Sequence, residues 1–156
     1  MRRSIFVPLF PLLFLLGCMS NKEATNEEMS HEFIVAFPGL QKQKIFDGTL
    51  KWIANTFRSA KAVIEYQDKE SGSVIGNGII SMKPEGSAFS GDVSFTMNVD
   101  SKDEKARIRF INLMYKYPIG EPETMPNTQA FHIPAQKKFA ELVESLKAFI
   151  MKKDEF

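Results

Sequence analysis

Cysteine and histidine are scarce in this chain, which has one cysteine, Cys18, and two histidines, His31 and His132, among 156 residues. A single thiol cannot form a disulfide within the chain, so the fold must be stabilised by a packed core. Neither histidine has a cysteine, aspartate or glutamate at the spacing typical of a metal site. We expect both to be solvated or capping residues, and we predict neither a metal nor another cofactor.

A surplus of charge is also missing. The 20 lysines and arginines nearly balance the 19 aspartates and glutamates, for a formal net charge of +1. Domains that bind nucleic acid usually carry a clear excess of basic residues. We therefore expect no nucleic-acid partner.

Motifs for catalysis are lacking as well. The segment Gly86-Ser87-Ala88-Phe89 lacks the second glycine of a nucleophile elbow. The acidic residues Asp100, Asp103 and Glu104 lie in a predicted turn, without the spacing and glycine of a calcium-binding EF-hand loop. The sequence therefore predicts a protein that is not an enzyme.

The amino terminus has the pattern of a bacterial lipoprotein export signal. Arg2 and Arg3 precede an apolar run over residues 5–16, which is too short to cross a bilayer, and Gly17-Cys18 follows it. Resemblance to the lipobox implies a signal peptide over residues 1–17, cleavage before Cys18, diacylglycerol on its sulfur and an acylated amino terminus. The alternatives are an ordinary secretory signal and a short anchor that stays uncleaved.

Lipidation at Cys18 predicts where the protein is found. Three acyl chains hold a protein durably on a membrane, so the membrane is one expected partner. The residue after the cysteine is Met19, and the aspartate that retains some lipoproteins at the inner membrane is absent. We expect attachment to the outer membrane of the bacterial cell envelope, facing the periplasm or the exterior. Residues 18–31 are polar and predict a flexible tether.

Residues 32–152 are predicted to form a single α+β domain. Helical spacing of apolar residues marks two helices, and alternating or β-branched runs mark the strands. In chain order, the predicted elements are a strand over 33–37, a helix over 41–58, strands over 62–68, 74–82, 92–99 and 107–117, a loop over 118–134 and a final helix. The order is β-α-β-β-β-β-α, and the simplest topology for the four consecutive strands is an antiparallel meander.

Several segments of this domain resemble a known family. They are Phe37-Pro38-Gly39-Leu40, the helix end at residues 50–55, residues 60–65 and the hairpin at residues 68–78. Together they are similar to a domain of unknown function with a fold like that of the TATA-binding protein. The resemblance implies a curved antiparallel sheet with two helices on one face, and it implies no activity, cofactor or catalytic residue. The fold by itself does not imply DNA binding.

Alternation along the strands assigns side chains to the two faces of the sheet. The helix-covered set is predicted to be Ile64, Tyr66, Val74, Ile80, Val93, Phe95, Met97, Val99, Ile108, Phe110 and Met114. The other face is polar with an apolar strip, and its candidate contact residues are Ile75, Ile79, Arg109, Ile111, Leu113 and Tyr115. A bulge in the last strand would turn its later residues to the opposite face.

The function depends on whether this strip is open. An open strip indicates a non-enzymatic binding or scaffold module for an envelope protein or a second copy of the chain. Alternatively, Phe131 or Ile133 of the loop over 118–134 covers the strip. A small apolar ligand between sheet and loop, near Phe131, Tyr115 and Tyr117, would make the protein a carrier or sensor. We favour the binding module, because the sequence shows no continuous pocket pattern.

Overall fold

A computed structural model describes residues 30–57, 63–126 and 128–152 of the chain. The predicted signal peptide and the lipidation site at Cys18 lie outside these residues. Within them, an antiparallel sheet of six strands carries two helices on one face, which confirms the predicted α+β architecture. The elements are β1 (His31–Ala36), α1 (Lys42–Thr56), β2 (Val63–Asp68), β3 (Ser73–Met82), β4 (Gly91–Lys102), β5 (Lys105–Lys116), β6 (Glu123–Thr124) and α2 (Gln129–Met151).

The strand order is β1-β5-β4-β3-β2, and β6 also pairs with β5. The predicted meander over the four consecutive strands is therefore confirmed. The short β6 was not predicted, because a strand of two residues has no alternating pattern of its own and exists only through its pairing with Met114 and Tyr115. His31, which the sequence places in the tether, is the first residue of β1.

The acidic turn between β4 and β5 holds the start of α1. Gln41 precedes the helix without a capping hydrogen bond from its side chain within the described residues. Instead, the Lys42 N–H donates to the Asp103 carboxylate at 2.7 Å, and the Gly39 N–H donates to the Glu104 carboxylate at 2.9 Å. Carboxylates near a helix N-terminus satisfy free N–H groups and complement the helix dipole. These acidic residues therefore have a structural role.

The core lies between the helices and the sheet, around three aromatic rings. Phe139 of α2 stacks on Phe110 of β5 with ring centroids 4.2 Å apart, and Phe95 of β4 contacts both rings edge to face. The Phe95 ring lies over Gly78, where any side chain would collide with it. Glycine in β3 thus makes room for an aromatic ring in the adjacent strand.

A bulge in β5 changes the predicted faces. Thr96 lies opposite Ile111 and Ser94 lies opposite Met114, so two β5 residues, Asn112 and Leu113, occupy the space opposite one residue of β4. Asn112 takes a left-handed conformation with φ of 54°, as the first residue of some bulges does. Alternation restarts after it, so Leu113 and Tyr115 point to the helix side.

The face predicted for Leu113 and Tyr115 is therefore wrong. Both side chains are buried in the core beneath the helices, with Leu113 only 2% exposed. Met114, predicted to face the helices, lies on the opposite face and is partly buried. The physical reason is the extra residue in β5, which shifts every later position by one.

A second register shift changes β2. Ile64 lies opposite Gly76, but Tyr66 lies opposite Ile75, so Glu65 is the extra residue of this strand. Tyr66 therefore faces away from the helices and is exposed, which makes its predicted place in the core wrong. Ile64 keeps the predicted face but is also exposed at the sheet edge.

Helix α2 begins earlier than predicted, since Gln129 is its first residue and Pro134 lies inside it. Proline has no N–H to donate to the carbonyl four residues before it. That carbonyl, on Ala130, accepts a hydrogen bond of 2.9 Å from the Glu85 N–H in the link between β3 and β4. The bond that the proline removes is thus replaced from another part of the chain.

Candidate functional site

The sheet face away from the helices, called the open face below, is built from alternate residues of β1 to β5. Ile75, Ile79, Arg109 and Ile111 lie on this face, and each is partly buried by its neighbours. Leu113 and Tyr115 do not lie there. Phe131 packs its ring on Tyr115, on the helix side, and Ile133 is a half-exposed residue of α2. The predicted cover of the strip by Phe131 or Ile133 is therefore wrong.

A polar column divides the open face. All the residues that β4 presents there are polar, namely Asp92, Ser94, Thr96, Asn98, Asp100 and Lys102. Ile75 and Ile79 lie on β3 at one side of this column, and Ile111 and Met114 lie on β5 at the other. The open face thus has two aliphatic flanks around a polar centre, where the sequence predicted one apolar strip.

Hydrogen bonds between side chains cross the open face from β2 to β5. The Asn77 amide donates to the Glu65 carboxylate at 2.6 Å, and the Thr96 hydroxyl donates to the Asn77 carbonyl oxygen at 2.9 Å. The Asn112 amide in turn donates to the Thr96 hydroxyl at 3.4 Å. This row restricts the rotamers of its members. The polar centre of the open face is therefore largely ordered.

Asp100 organises the end of the open face near the β4–β5 turn. Arg107 donates to the Asp100 carboxylate at 2.9 Å, Ser73 donates to it at 3.0 Å, and Arg109 lies 3.9 Å away. Partial burial acts to raise the pKa of Asp100, but the hydrogen bonds from Arg107 and Ser73, with the charges of Arg107 and Arg109, outweigh it and lower that pKa. Asp100 therefore stays ionised, holds Arg107 by hydrogen bonds and attracts the charge of Arg109.

Two polar atoms beside this ion pair lack partners. Asn98 and Arg109 lie opposite each other on β4 and β5. The Asn98 carbonyl oxygen and the Arg109 Nε are buried, and neither has a hydrogen bond to any part of the chain that the structure describes. A buried polar group without a partner costs about 1–3 kcal/mol. This cost is concentrated on the open face, next to Ile75 and Ile111.

The sequence did not identify Tyr66, Met114 or Asn112 as parts of this face. Each depends on a bulge, and a bulge is defined by the register with the neighbouring strand. One local signal was present: Asn112 interrupts an otherwise apolar run, and asparagine takes the left-handed conformation more readily than most residues.

The structure brings the two histidines together on the helix side. The His31 and His132 ring centroids are 5.6 Å apart, and the Phe139 ring lies 5.3 Å from His31. His31 is partly buried, and its Nε2 is buried without a hydrogen-bond partner among the described residues. Burial, and secondarily the charge of His132, lower the pKa of His31 below its ordinary value of 6.5. The expectation that His31 is a simple solvated residue is therefore wrong.

We expect this pair to make the domain less stable in mild acid. The unfolded chain binds a proton at His31 more tightly than the folded domain does, so the contribution of His31 to stability is fully present above about pH 6.5 and is lost as the pH falls below that value. Urea unfolding at about pH 7.5 and about pH 5 measures the difference. In His31→Phe, which keeps an apolar ring against Phe139, the difference should shrink. An unchanged difference would contradict this origin.

Tyr115, Tyr117 and Phe131, proposed from the sequence to line a ligand site, pack against one another. The Tyr115 ring makes edge-to-face contacts with Tyr117 at 4.8 Å and with Phe131 at 5.0 Å. Burial is the main cause that raises the pKa of the Tyr115 hydroxyl. The three rings act as a packing cluster, and they give no separate support to a ligand carrier.

Across residues 30–57, 63–126 and 128–152, no three histidine, cysteine, aspartate or glutamate side chains come close enough together to hold a metal ion. In the same part of the chain, neither helix is long and apolar enough to cross a membrane.

Comparisons with known proteins agree with this architecture. The family described as "Domain of unknown function (DUF4468) with TBP-like fold" matches residues 32–116. A DUF4468 protein from Bacteroides ovatus superposes with a TM-score of 0.65 at 12% identity, covering 81% of this chain and 88% of that one. A TBP-like protein from Parabacteroides distasonis gives 0.59 at 12% identity, covering 80% and 96%. At this identity the likeness shows the fold alone. A comparison with curated proteins gave no match.

Proposed function

Since the chain belongs to the DUF4468 family, whose description gives a fold and no activity, we propose that it is a non-enzymatic binding module of the bacterial cell envelope. In this proposal, lipid on Cys18 anchors it to the outer membrane, and the open face docks an envelope protein. The partner presents aliphatic side chains to the two flanks and polar groups to the centre.

The observation that carries this proposal is the composition of the open face together with its lack of a described cover. Both helices pack on the other side of the sheet, and β6 extends its edge. Ile75, Ile79 and Ile111 remain at the surface beside a hydrogen-bonded polar row. Protein interfaces combine apolar contacts with direct hydrogen bonds, and this face offers groups for both.

The unpartnered atoms of Asn98 and Arg109 add a second argument. Arg109 is 40% exposed along its side chain, so it can turn toward a partner while Asp100 still attracts its charge. A partner that offers an acceptor to Arg109 satisfies its guanidinium when it turns outward and removes that part of the cost. An arginine on such a surface is typical of the residues that dominate binding energy.

The anchor and the absence of enzymatic activity rest on the sequence. The charged amino terminus, the short apolar run and Gly17-Cys18 support export and lipidation, and Met19, which stands where some lipoproteins carry an inner-membrane retention aspartate, supports the outer membrane. The absence of a catalytic motif supports a binding role.

Crosslinking in cells, followed by affinity recovery of the full-length protein, tests the proposal. The test variant is Ile75→Glu combined with Ile111→Glu, which places two charges on the flanks of the open face. The matched control is Met151→Glu, which adds a charge at an exposed position near the end of α2. We expect the native protein and the control to recover the same companion, and the double variant to lose it while still unfolding in a single cooperative transition.

Two outcomes contradict this function. A folded double variant that still recovers the companion would mean that the open face does not bind it. A native protein without any companion, which releases a small molecule on denaturation, would indicate a ligand carrier instead.

A further inference from the structure

Three large apolar side chains are exposed at one end of the sheet. Phe89 is 70% exposed, Ile119 is 93% exposed and Tyr117 is 40% exposed. Phe89 belongs to the link of residues 83–90 between β3 and β4, and the other two belong to the link of residues 117–122 after β5. These two links are called the loop end below. Single exposed apolar residues are common, but three on adjoining links require an explanation.

The register shows that the two links are neighbours. Met82, the last residue of β3, pairs with Gly91, the first residue of β4, and Asp92 pairs with Lys116 at the end of β5. Gly91 lies so close to the Tyr115 ring and the Lys116 carbonyl that any side chain there would collide with them. The links therefore leave the same end of the sheet side by side.

Contacts to the rest of the domain hold the loop end in place. The Glu85 N–H donates to the Ala130 carbonyl of α2 at 2.9 Å. The Ser87 hydroxyl accepts from the Phe89 N–H at 3.1 Å and donates to the Phe89 carbonyl at 2.9 Å. Tyr117 rests on the buried ring of Tyr115. Phe89 and Tyr117 are thus presented to the surroundings by an ordered scaffold.

The direction of β1 relates the loop end to the proposed anchor. His31 pairs with Phe110 and Ala36 pairs with Lys105, so the amino-terminal end of β1 points toward Lys116 and the loop end. The remaining six residues of β5 span about 20 Å at 3.4 Å per residue. The chain from Cys18 to His31 can span up to about 45 Å when fully extended. The anchor therefore allows the loop end to reach the bilayer surface.

Charge at the loop end is mixed. The exposed charged residues in it are Lys83, Glu85 and Glu121, and Lys116 and Glu123 lie next to it at the ends of β5 and β6. Two positive and three negative side chains give no strong attraction to anionic lipids. Any affinity for a membrane must come from the apolar and aromatic side chains, which commonly lie at the boundary between headgroups and acyl chains.

We propose that the loop end is a bilayer-contact surface, on which Phe89, Tyr117 and Ile119 enter the lipid interface of the membrane to which Cys18 is anchored. This inference rests on the lipid anchor in the proposed function. Contact at this end sets the sheet upright on the membrane, with the strands running away from it. The open face then stands to the side, where a partner in the same compartment can reach it.

Depth-dependent quenching tests the proposal in the full-length lipidated protein. The protein is reconstituted into phosphatidylethanolamine vesicles that contain some phosphatidylglycerol. Ile119→Cys carries an environment-sensitive fluorophore at the loop end. Ile34→Cys is the matched control, because Ile34 is 72% exposed and lies opposite Arg107, toward the other end of β5. The acylated sulfur of Cys18 does not react with the label, so each protein receives one fluorophore.

We expect brominated lipids to quench the Ile119 probe several times more strongly than the Ile34 probe, and iodide in the water to do the reverse. Added salt should change neither result. If the protein floats with the vesicles but iodide quenches both probes equally, the membrane contact is refuted and the anchor stands. If the Ile119 probe is shielded from iodide but not quenched by brominated lipids, the loop end contacts protein, which also overturns the proposal.

Failure of the anchor gives a different result. A protein that carries two labels, has no added lipid mass and does not float with the vesicles has no lipid on Cys18. That result would overturn the anchor in the proposed function, together with this inference.

Discussion

Leu113→Glu is expected to unfold the domain, whereas Ile111→Glu, two residues earlier in the same strand, is expected to leave it folded. Leu113 is buried in the core, and Ile111 lies on the open face with part of its side chain in water. Removing a buried leucine side chain costs about 2–5 kcal/mol, and burying a carboxylate without a partner adds several more. That sum is comparable with the whole stability of a typical domain, about 5–15 kcal/mol.

Urea unfolding followed by circular dichroism measures both variants against the native protein. We expect Leu113→Glu to show no cooperative transition, and Ile111→Glu to lose no more than about 1–2 kcal/mol, in the range of ordinary single substitutions. Equal losses would mean that positions 111 and 113 share one face, as they would in a regular strand. That result would refute the bulge at Asn112.

The bulge explains why the sequence predicted one part of β5 correctly and another part wrongly. Up to Ile111, alternation places the side chains where the structure has them, with Ile108 and Phe110 in the core. After Asn112 the same rule gives the opposite face. Alternation is a local rule, but the bulge is a relation between β5 and β4, so a single sequence cannot locate it with certainty.

The helices and the main strands were predictable in their order along the chain, because each of these elements repeats its apolar spacing over many residues. The start of α2 was not. Pro134 read alone indicates the end of a loop, and only the hydrogen bond from Glu85 to the Ala130 carbonyl shows how the helix continues past it. Tertiary contacts of this kind overrule local preference.

For the candidate site, alternation placed the β3 residues on the correct face. It did not show how the residues of β4 and β5 align beside them. Ile75 and Ile79 lie on the face that alternation assigns to them. The division of that face by a polar column follows from the pairing of β3 with β4 and β5, since polar residues become a column only when the register aligns them. Their role as contacts stays a prediction for the crosslinking experiment.

The second large effect is expected at Phe139. Its side chain is fully buried, stacks on Phe110 at 4.2 Å and contacts Phe95 at 5.2 Å. Phe139→Ala should lower the free energy of unfolding by about 3–5 kcal/mol, because a cavity forms between α2 and the sheet. The matched control is Phe149→Ala in the same helix, where the side chain is 37% exposed. We expect the control to lose less than half as much in urea unfolding.

Phe139→Ala also tests the account given for His31. The Phe139 ring lies 5.3 Å from His31, and burial is the main cause that lowers the pKa of this histidine. Water that enters the cavity should raise that pKa toward its ordinary value, so the loss of stability in mild acid should become smaller in the variant. A large loss of stability with an unchanged pH dependence would separate the packing role of Phe139 from the lowered pKa of His31. It would mean that other groups around His31, and not the Phe139 ring, keep it from solvent.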